Sequence, residues 1–256
     1  MDTGEQVRLS TDGGLAVITL ARPEKLNALS PAMRSRMGEC LAQVARDDSV
    51  KVVLINAEGR DFCTGADLVD APDRPLAWRE RIRTAQAHHL TIVRMNKPVI
   101  AAVQGRAIGG GASLALAADI LVMAEDAKLV FPFVRLGVVP DGGASALLQA
   151  KAGPAIALDL LLSAGTLSAQ DGARLGLTRR VVPSADLQEL ALSLARELLQ
   201  LPWEALMLTK ALCAQHWAAG LEAVLAHESE AFALATSTEG HQRAIAAVRQ
   251  SMSRRA

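Results

Sequence analysis

Apolar residues fall into short β-branched runs over the first two-thirds of the chain and into helical spacings over the last third. Runs at 7–10 and 15–20 flank Thr11-Asp-Gly-Gly14 and predict a hairpin with the glycines its turn needs. Ser30-Pro31 predicts a capped helix to about residue 45, and 50–55 predicts the next strand. A helix over about 76–95 follows Val69-Asp-Ala-Pro-Asp-Arg-Pro75, a loop dense in proline and charge. Loops of that kind are commonly mobile and commonly carry specificity.

The apolar run at 98–103 breaks at Gly105 and passes through Gly109, Gly110 and Gly111 into an Ala/Leu-rich segment. That pattern predicts a buried strand, a tight turn and the first turn of a helix. Strands follow at 120–123 and 127–130. A loop over 131–143 contains one helical turn, and helices are expected at 144–150 and 155–162. From 185 onward the pattern is helical, broken at Leu201-Pro202, at Gly220 and over 237–240. The strand, strand, helix rhythm predicts an α/β stack of β-β-α units rather than a doubly wound sheet.

Glycines at a helix start leave the first N–H groups uncovered by side chains, so a negatively charged oxygen can approach them. Neither the G-x-G-x-x-G dinucleotide pattern nor a P-loop is present. A second reading is that the glycines only let a small-residue helix pack closely on a strand.

Four stretches in order narrow the choice: Arg22-Pro-Glu-Lys-Leu-Asn-Ala-Leu29, Phe62-Cys-Thr-Gly-Ala-Asp-Leu68, the glycine turn, and Leu136-Gly-Val-Val-Pro-Asp-Gly-Gly143. Together they resemble the enoyl-CoA hydratase/isomerase, or crotonase, family. The resemblance implies a crotonase spiral of β-β-α units over residues 1–190 and a C-terminal helical trimerisation region over 191–256. It implies an acyl-CoA substrate and trimers that can pair into hexamers. Coenzyme A would arrive as part of the substrate, with no separate cofactor. The ending Ser251-Met-Ser-Arg-Arg-Ala256 departs from the usual family ending.

Composition is compatible with this. A chain of 256 residues that is 50% hydrophobic can bury one large core. Basic and acidic side chains balance at 27 each, against a nucleic-acid stripe or a membrane-surface patch. With no Tyr and 3% aromatic residues, base stacking is poorly supplied. Cys40, Cys63 and Cys213 are widely spaced and suggest neither a disulfide framework nor a metal cluster, which fits a reducing cytoplasm. Met1-Asp-Thr-Gly-Glu5 lacks signal-peptide character, and no apolar run is long enough to span a bilayer.

The resemblance assigns chemistry residue by residue. Ala66 N–H and Gly110 N–H correspond to the two oxyanion donors that hold a thioester enolate, each worth about 3 to 4 kcal/mol of barrier. Lys25, Ala28, Thr64, Gly65, Asp67, Leu68, Gly109 and Phe133 correspond to substrate contacts. For Lys25, a solvated loop cation is an equal alternative. Hydratases of the family use two glutamates, and those positions are Ser113 and Phe133 here, so hydration is disfavoured.

Asp141 instead resembles the single base of the Δ3,Δ2-enoyl-CoA isomerase branch, which moves a proton from C2 to C4. Apolar neighbours such as Phe133 and Val139 should raise its pKa towards the operating range. Pro140-Asp-Gly-Gly143 is also an ordinary helix-capping turn. Other readings remain open: hydratase in the broad sense, a non-catalytic acyl-CoA binder, or dehalogenase-like chemistry. For the last, the required histidine position falls on Gln86, with His88 and His89 displaced from it. Adjacent histidines do not share a helix face, so a metal site there is disfavoured.

Overall fold

The computed structural model describes residues 5–69 and 71–253. Expectations resting on residues 1–4, on Asp70 of the proline-rich loop and on 254–256 lie outside those residues. β1 (Val7–Asp12) and β2 (Leu15–Leu20) form the expected hairpin, with Gly13-Gly14 alone as the turn. α1 (Pro31–Arg46) opens as its sequence dictates: Pro31 occupies the first turn, and Ser30 Oγ accepts from Met33 N at 3.1 Å. β3 (Val52–Ala57) then pairs parallel to β2, and α2 (Pro75–Arg94) leads to β4 (Val99–Val103).

Every residue of β4 is buried, which explains its unbroken apolar run. β5 (Arg106–Ile108), α3 (Gly110–Ala117), β6 (Ile120–Ala124) and β7 (Lys128–Val130) follow. α4 (Ala144–Ala152), α5 (Pro154–Leu162), β8 (Thr166–Ser168), α6 (Ala169–Arg174) and β9 (Val181–Val182) complete the layered part. One sheet runs β1-β2-β3-β4-β6-β9, parallel beyond the first hairpin, and a second runs β5-β7-β8.

The second sheet corrects the simpler picture of strand, turn and helix start. β5 lies between Gly105 and the helix, and β8 precedes the short helix at 169. Each is three residues long, and one buried residue between two more exposed ones is too short a pattern to mark a strand, so only its pairing partner defines it.

Four helices close the chain: α7 (Leu187–Leu199), α8 (Trp203–Ala218), α9 (Leu221–Thr236) and α10 (Glu239–Ser253). α7 spans the expected boundary at 190 and packs on β3, β4 and β6. α9 lies along α2, and α10 against the 3₁₀ turn Phe133–Leu136. α2 is therefore covered by α1, α3 and α9, which is why His88 and His89, on different faces, are both buried. Among the described residues no helix is long and apolar enough to cross a membrane.

The loop from Arg22 to Leu29 is fixed by Asn27, whose side chain is fully buried. Its Oδ1 accepts from Arg22 N at 2.8 Å, and its Nδ2 donates to Glu58 O and Asp61 O at 2.9 Å each. Asn27→Ala leaves these groups without partners and is expected to cost about 3 kcal/mol. A urea-unfolding midpoint that does not move would contradict this account of the loop.

Candidate active site

The site begins with the segment after β3. Asp61, 2% exposed, accepts from Arg106 N at 2.9 Å, Nε at 2.8 Å and Nη2 at 2.8 Å. Hydrogen bonds from Arg106 hold its carboxyl below the usual range. Beyond it the backbone bridges on both sides: Cys63 to Ala107 of β5, and Ala66 to Leu29. Leu29 N donates to Gly65 O at 2.8 Å and Asp67 N to Leu29 O at 3.2 Å. Gly65 has φ +84°, and an added Cβ would lie 2.5 Å from Ile108 O. No other residue lets this segment lie so close to the start of α3.

The consequence is a pair of backbone donors from two segments. Ala66 N and Gly110 N donate none of the hydrogen bonds found among the described residues, and both residues line one cavity of about 140 Å³. Gly110 N opens α3, where no preceding turn supplies an acceptor. Unengaged N–H groups at a helix start favour an oxygen that carries negative charge.

Asp141 faces the same cavity. The residue is half-buried, its Oδ1 is buried with no hydrogen-bond partner among the described residues, and its pKa is pushed up to about 7. Desolvation is the larger cause, the charge of Glu228 adds to it, and Arg81 opposes both. The side chain does not cap α4, whose N-cap is Gly143 with no side-chain bond. Gly142 has φ +64°, and an added Cβ would strike the His89 ring at 2.5 Å, so the turn tolerates only glycine there. Ser113 Oγ donates to Asp141 O at 2.9 Å and pins the turn to α3.

Of the positions singled out in the sequence, Thr64, Gly65, Ala66, Leu68, Gly109, Gly110, Phe133 and Asp141 line this cavity. Lys25, Ala28 and Asp67 do not. Lys25 is exposed on a 3₁₀ turn, and Ala28 O accepts from Arg22 Nη1 at 2.9 Å. Asp67 pairs with Arg22 Nη1 at 2.8 Å and accepts from Val69 N at 3.1 Å. Gln86 Nε2 donates to Leu225 O at 2.8 Å and is turned towards α9. His89 lies beside Gly142, and burial lowers the pKa of His88 to about 4 and of His89 to about 3.

Residues that sequence reasoning missed complete the wall: Trp78 from α2, Phe232 from α9, and His241 and Ile245 from α10. His241 Nδ1 lies 2.8 Å from Leu136 O, so it is the protonated nitrogen. One signal was available. The chain has only four Phe and three Trp, and Trp78, Phe133 and Phe232 meet here.

A larger cavity of about 680 Å³ opens between α4 and α8, but its cations are engaged. Lys210 bonds Asp119, Ile92 O and Lys97 O, and Lys151 bonds Ala118 O. The smaller cavity is where donors and an unengaged carboxyl converge. Among the described residues no cluster of His, Cys, Asp or Glu is arranged to hold a metal ion.

Two unengaged amides and one carboxyl thus converge on one cavity of a chain with the crotonase fold. A family model described as enoyl-CoA hydratase/isomerase matches residues 10–251. The 1,2-epoxyphenylacetyl-CoA isomerase of Escherichia coli K12 is 40% identical over 205 residues, 77% of each chain. A probable enoyl-CoA hydratase of Rhodobacter capsulatus is 38% identical over 183 residues, 71% of this chain and 70% of that one. The crystal structure of an enoyl-CoA hydratase from Mycobacterium avium subsp. paratuberculosis superposes with a TM-score of 0.88 at 27% identity, covering 96% of this chain and all of that one (100%). The chain belongs to the enoyl-CoA hydratase/isomerase family, whose members process acyl-CoA thioesters.

The Asp141 shift has a stability consequence. Between the ordinary aspartate value of 3.8 and about 7, the folded protein keeps a proton that the unfolded chain has released. Its contribution to stability therefore falls as pH rises through that window, by at most about 1.4 kcal/mol per pH unit. Asp141→Asn is expected to gain stability relative to the parent on going from pH 4 to pH 8. The loss in acid from His88 and His89 is common to both proteins and cancels. Urea unfolding at the two pH values measures the difference, and a constant difference would refute the shift.

Proposed function

We propose that this protein is an isomerase that moves the double bond of a 3-enoyl-CoA to the 2-enoyl position. The observation that carries the reading is that Asp141 is the one carboxyl among the described residues lining the cavity, with Oδ1 buried and unengaged and a titration near neutrality. In the proposed reaction the thioester oxygen sits on Ala66 N–H and Gly110 N–H. Asp141 takes a proton from C2, the two donors hold the dienolate, and the same carboxyl returns the proton at C4. Carbon acidity rises because the developing charge meets donors already in place. A base that titrates near the operating pH serves both transfers.

Hydration needs a second acid or base to split water. Ser113, at one hydratase glutamate position, is committed to Gly109 O and Asp141 O, and Phe133, at the other, is an apolar wall. The name of the Escherichia coli isomerase favours isomerase chemistry, whereas hydratase names among the relatives favour the alternative. A cavity of about 140 Å³ with three aromatic walls favours a compact acyl group, being smaller than the roughly 300 Å³ at which drug-sized pockets begin.

Incubation with a 3-enoyl-CoA and, separately, a 2-enoyl-CoA tests this by product mass and conjugation absorbance. The 3-enoyl substrate should give a conjugated product of unchanged mass, at a rate rising with pH through about 7 as Asp141 ionises. Asp141→Asn should lower that rate by about 10²- to 10⁴-fold. Rapid addition of water to the 2-enoyl substrate would sink the proposal in favour of a hydratase.

A further inference from the structure

The turn that presents Asp141 has no cap of its own. α4 begins at Ala144 after Gly143, and no residue of the turn bonds its first N–H groups through a side chain. Those groups are met from α9. Glu228, 6% exposed, accepts from Gly143 N at 2.7 Å through Oε2, and from Ser145 N at 3.2 Å and Ser145 Oγ at 2.6 Å through Oε1. One helical turn earlier, Leu225 O takes Gln86 Nε2 at 2.8 Å, which ties this part of α9 to α2. Glu228 itself does not line the acyl cavity.

We propose that Glu228 is the positioning residue of this site: from the C-terminal helices it caps α4 and so fixes the turn that holds the Asp141 carboxyl against Gly110. An added Cβ on Gly110 would lie 3.8 Å from Asp141 Oδ1, so a small rotation of the turn would change how the carboxyl addresses a thioester held on Gly110 N–H. Misplacement of a reacting group by about 1 Å can cost about 100-fold in rate. A carboxylate is suited to the task because it offers acceptors to three donors and carries the charge that a helix N-terminus favours. That charge also reaches Asp141 and raises its pKa, against Arg81 of α2. The other titratable groups around Asp141 are Arg34 of α1 with His88 and His89 of α2, across a small rear cavity, and His241 of α10, across the acyl cavity.

The inference rests on Asp141 being the base, and the test separates the two. Glu228→Gln, Ser145→Ala and Asp141→Asn are compared with the parent on a 3-enoyl-CoA, and carbon-13-labelled aspartate is followed by NMR. The carboxyl signal missing from Asp141→Asn identifies Asp141. Glu228→Gln is expected to lower kcat about 10- to 100-fold with KM changed less than about threefold, and to move the Asp141 titration to lower pH. Ser145→Ala keeps the charge and loses one bond, so it is expected to lower kcat by less and leave the titration in place.

A Glu228→Gln protein with parental kcat and parental Asp141 titration, whatever its thermal midpoint, overturns the proposal. Should that variant not fold, parental kcat in Ser145→Ala overturns it instead. Parental activity in Asp141→Asn would refute the base assignment. The labelled Asp141 signal would still report whether Glu228 governs the turn.

Discussion

The segment from Asp61 to Asp67 must be bonded along both edges at once, and the site depends on that double attachment. On one edge Cys63 bridges β5, and on the other Ala66 bridges Leu29. The Asp61–Arg106 pair locks the first edge with two side-chain bonds at 2.8 Å. Asn27 locks the loop that forms the second. Burying a carboxylate is tolerated when its oxygens are satisfied; Asp61 is buried while the Arg106 side chain stays 41% exposed, and Arg106 N is a further donor to the carboxylate. Two amides from separate β-β-α units thereby face one cavity, with a geometry set by backbone rather than by side-chain rotamers.

Asp141 shows the opposite economy. A carboxyl whose Oδ1 is buried without a partner works against folding at neutral pH, and the same desolvation brings its titration to about 7. The surrounding structure holds it there. Ser113 fixes its backbone to α3, the His89 ring fills the space beside Gly142, and Glu228 takes the N–H groups that follow. Well-packed neighbours thus sustain a local cost in stability.

The C-terminal helices belong to this site as much as the layered part does. α9 supplies Phe232 and α10 supplies His241 and Ile245 to the cavity wall. The fit is close: a Cβ on Gly137 would lie 2.7 Å from the His241 backbone. The layered units carry the two unengaged amides and the carboxyl, while Phe232, His241 and Ile245 of the helices close the cavity from the other side.

From sequence, the hairpin, the capped α1, the buried β4 and the helical tail could all be read, because each has a local cause: turn glycines, a serine cap, an unbroken apolar run, a 3.6-residue period. The family resemblance pointed to Ala66, Gly110 and Asp141 through their places in the matched motifs, and the fold brings all three to one cavity. The three-residue strands β5 and β8 were not legible, because such strands exist only through partners distant in the chain. Nor was the burial of His88 and His89, which took α1, α3 and α9 closing round one helix. Glu228 reads in sequence as one more acid on an amphipathic helix. Only the packing of α9 against α2 and α4 brings it to the amides of Gly143 and Ser145, because desolvation and hydrogen-bond geometry depend on neighbours in space, which local sequence does not encode.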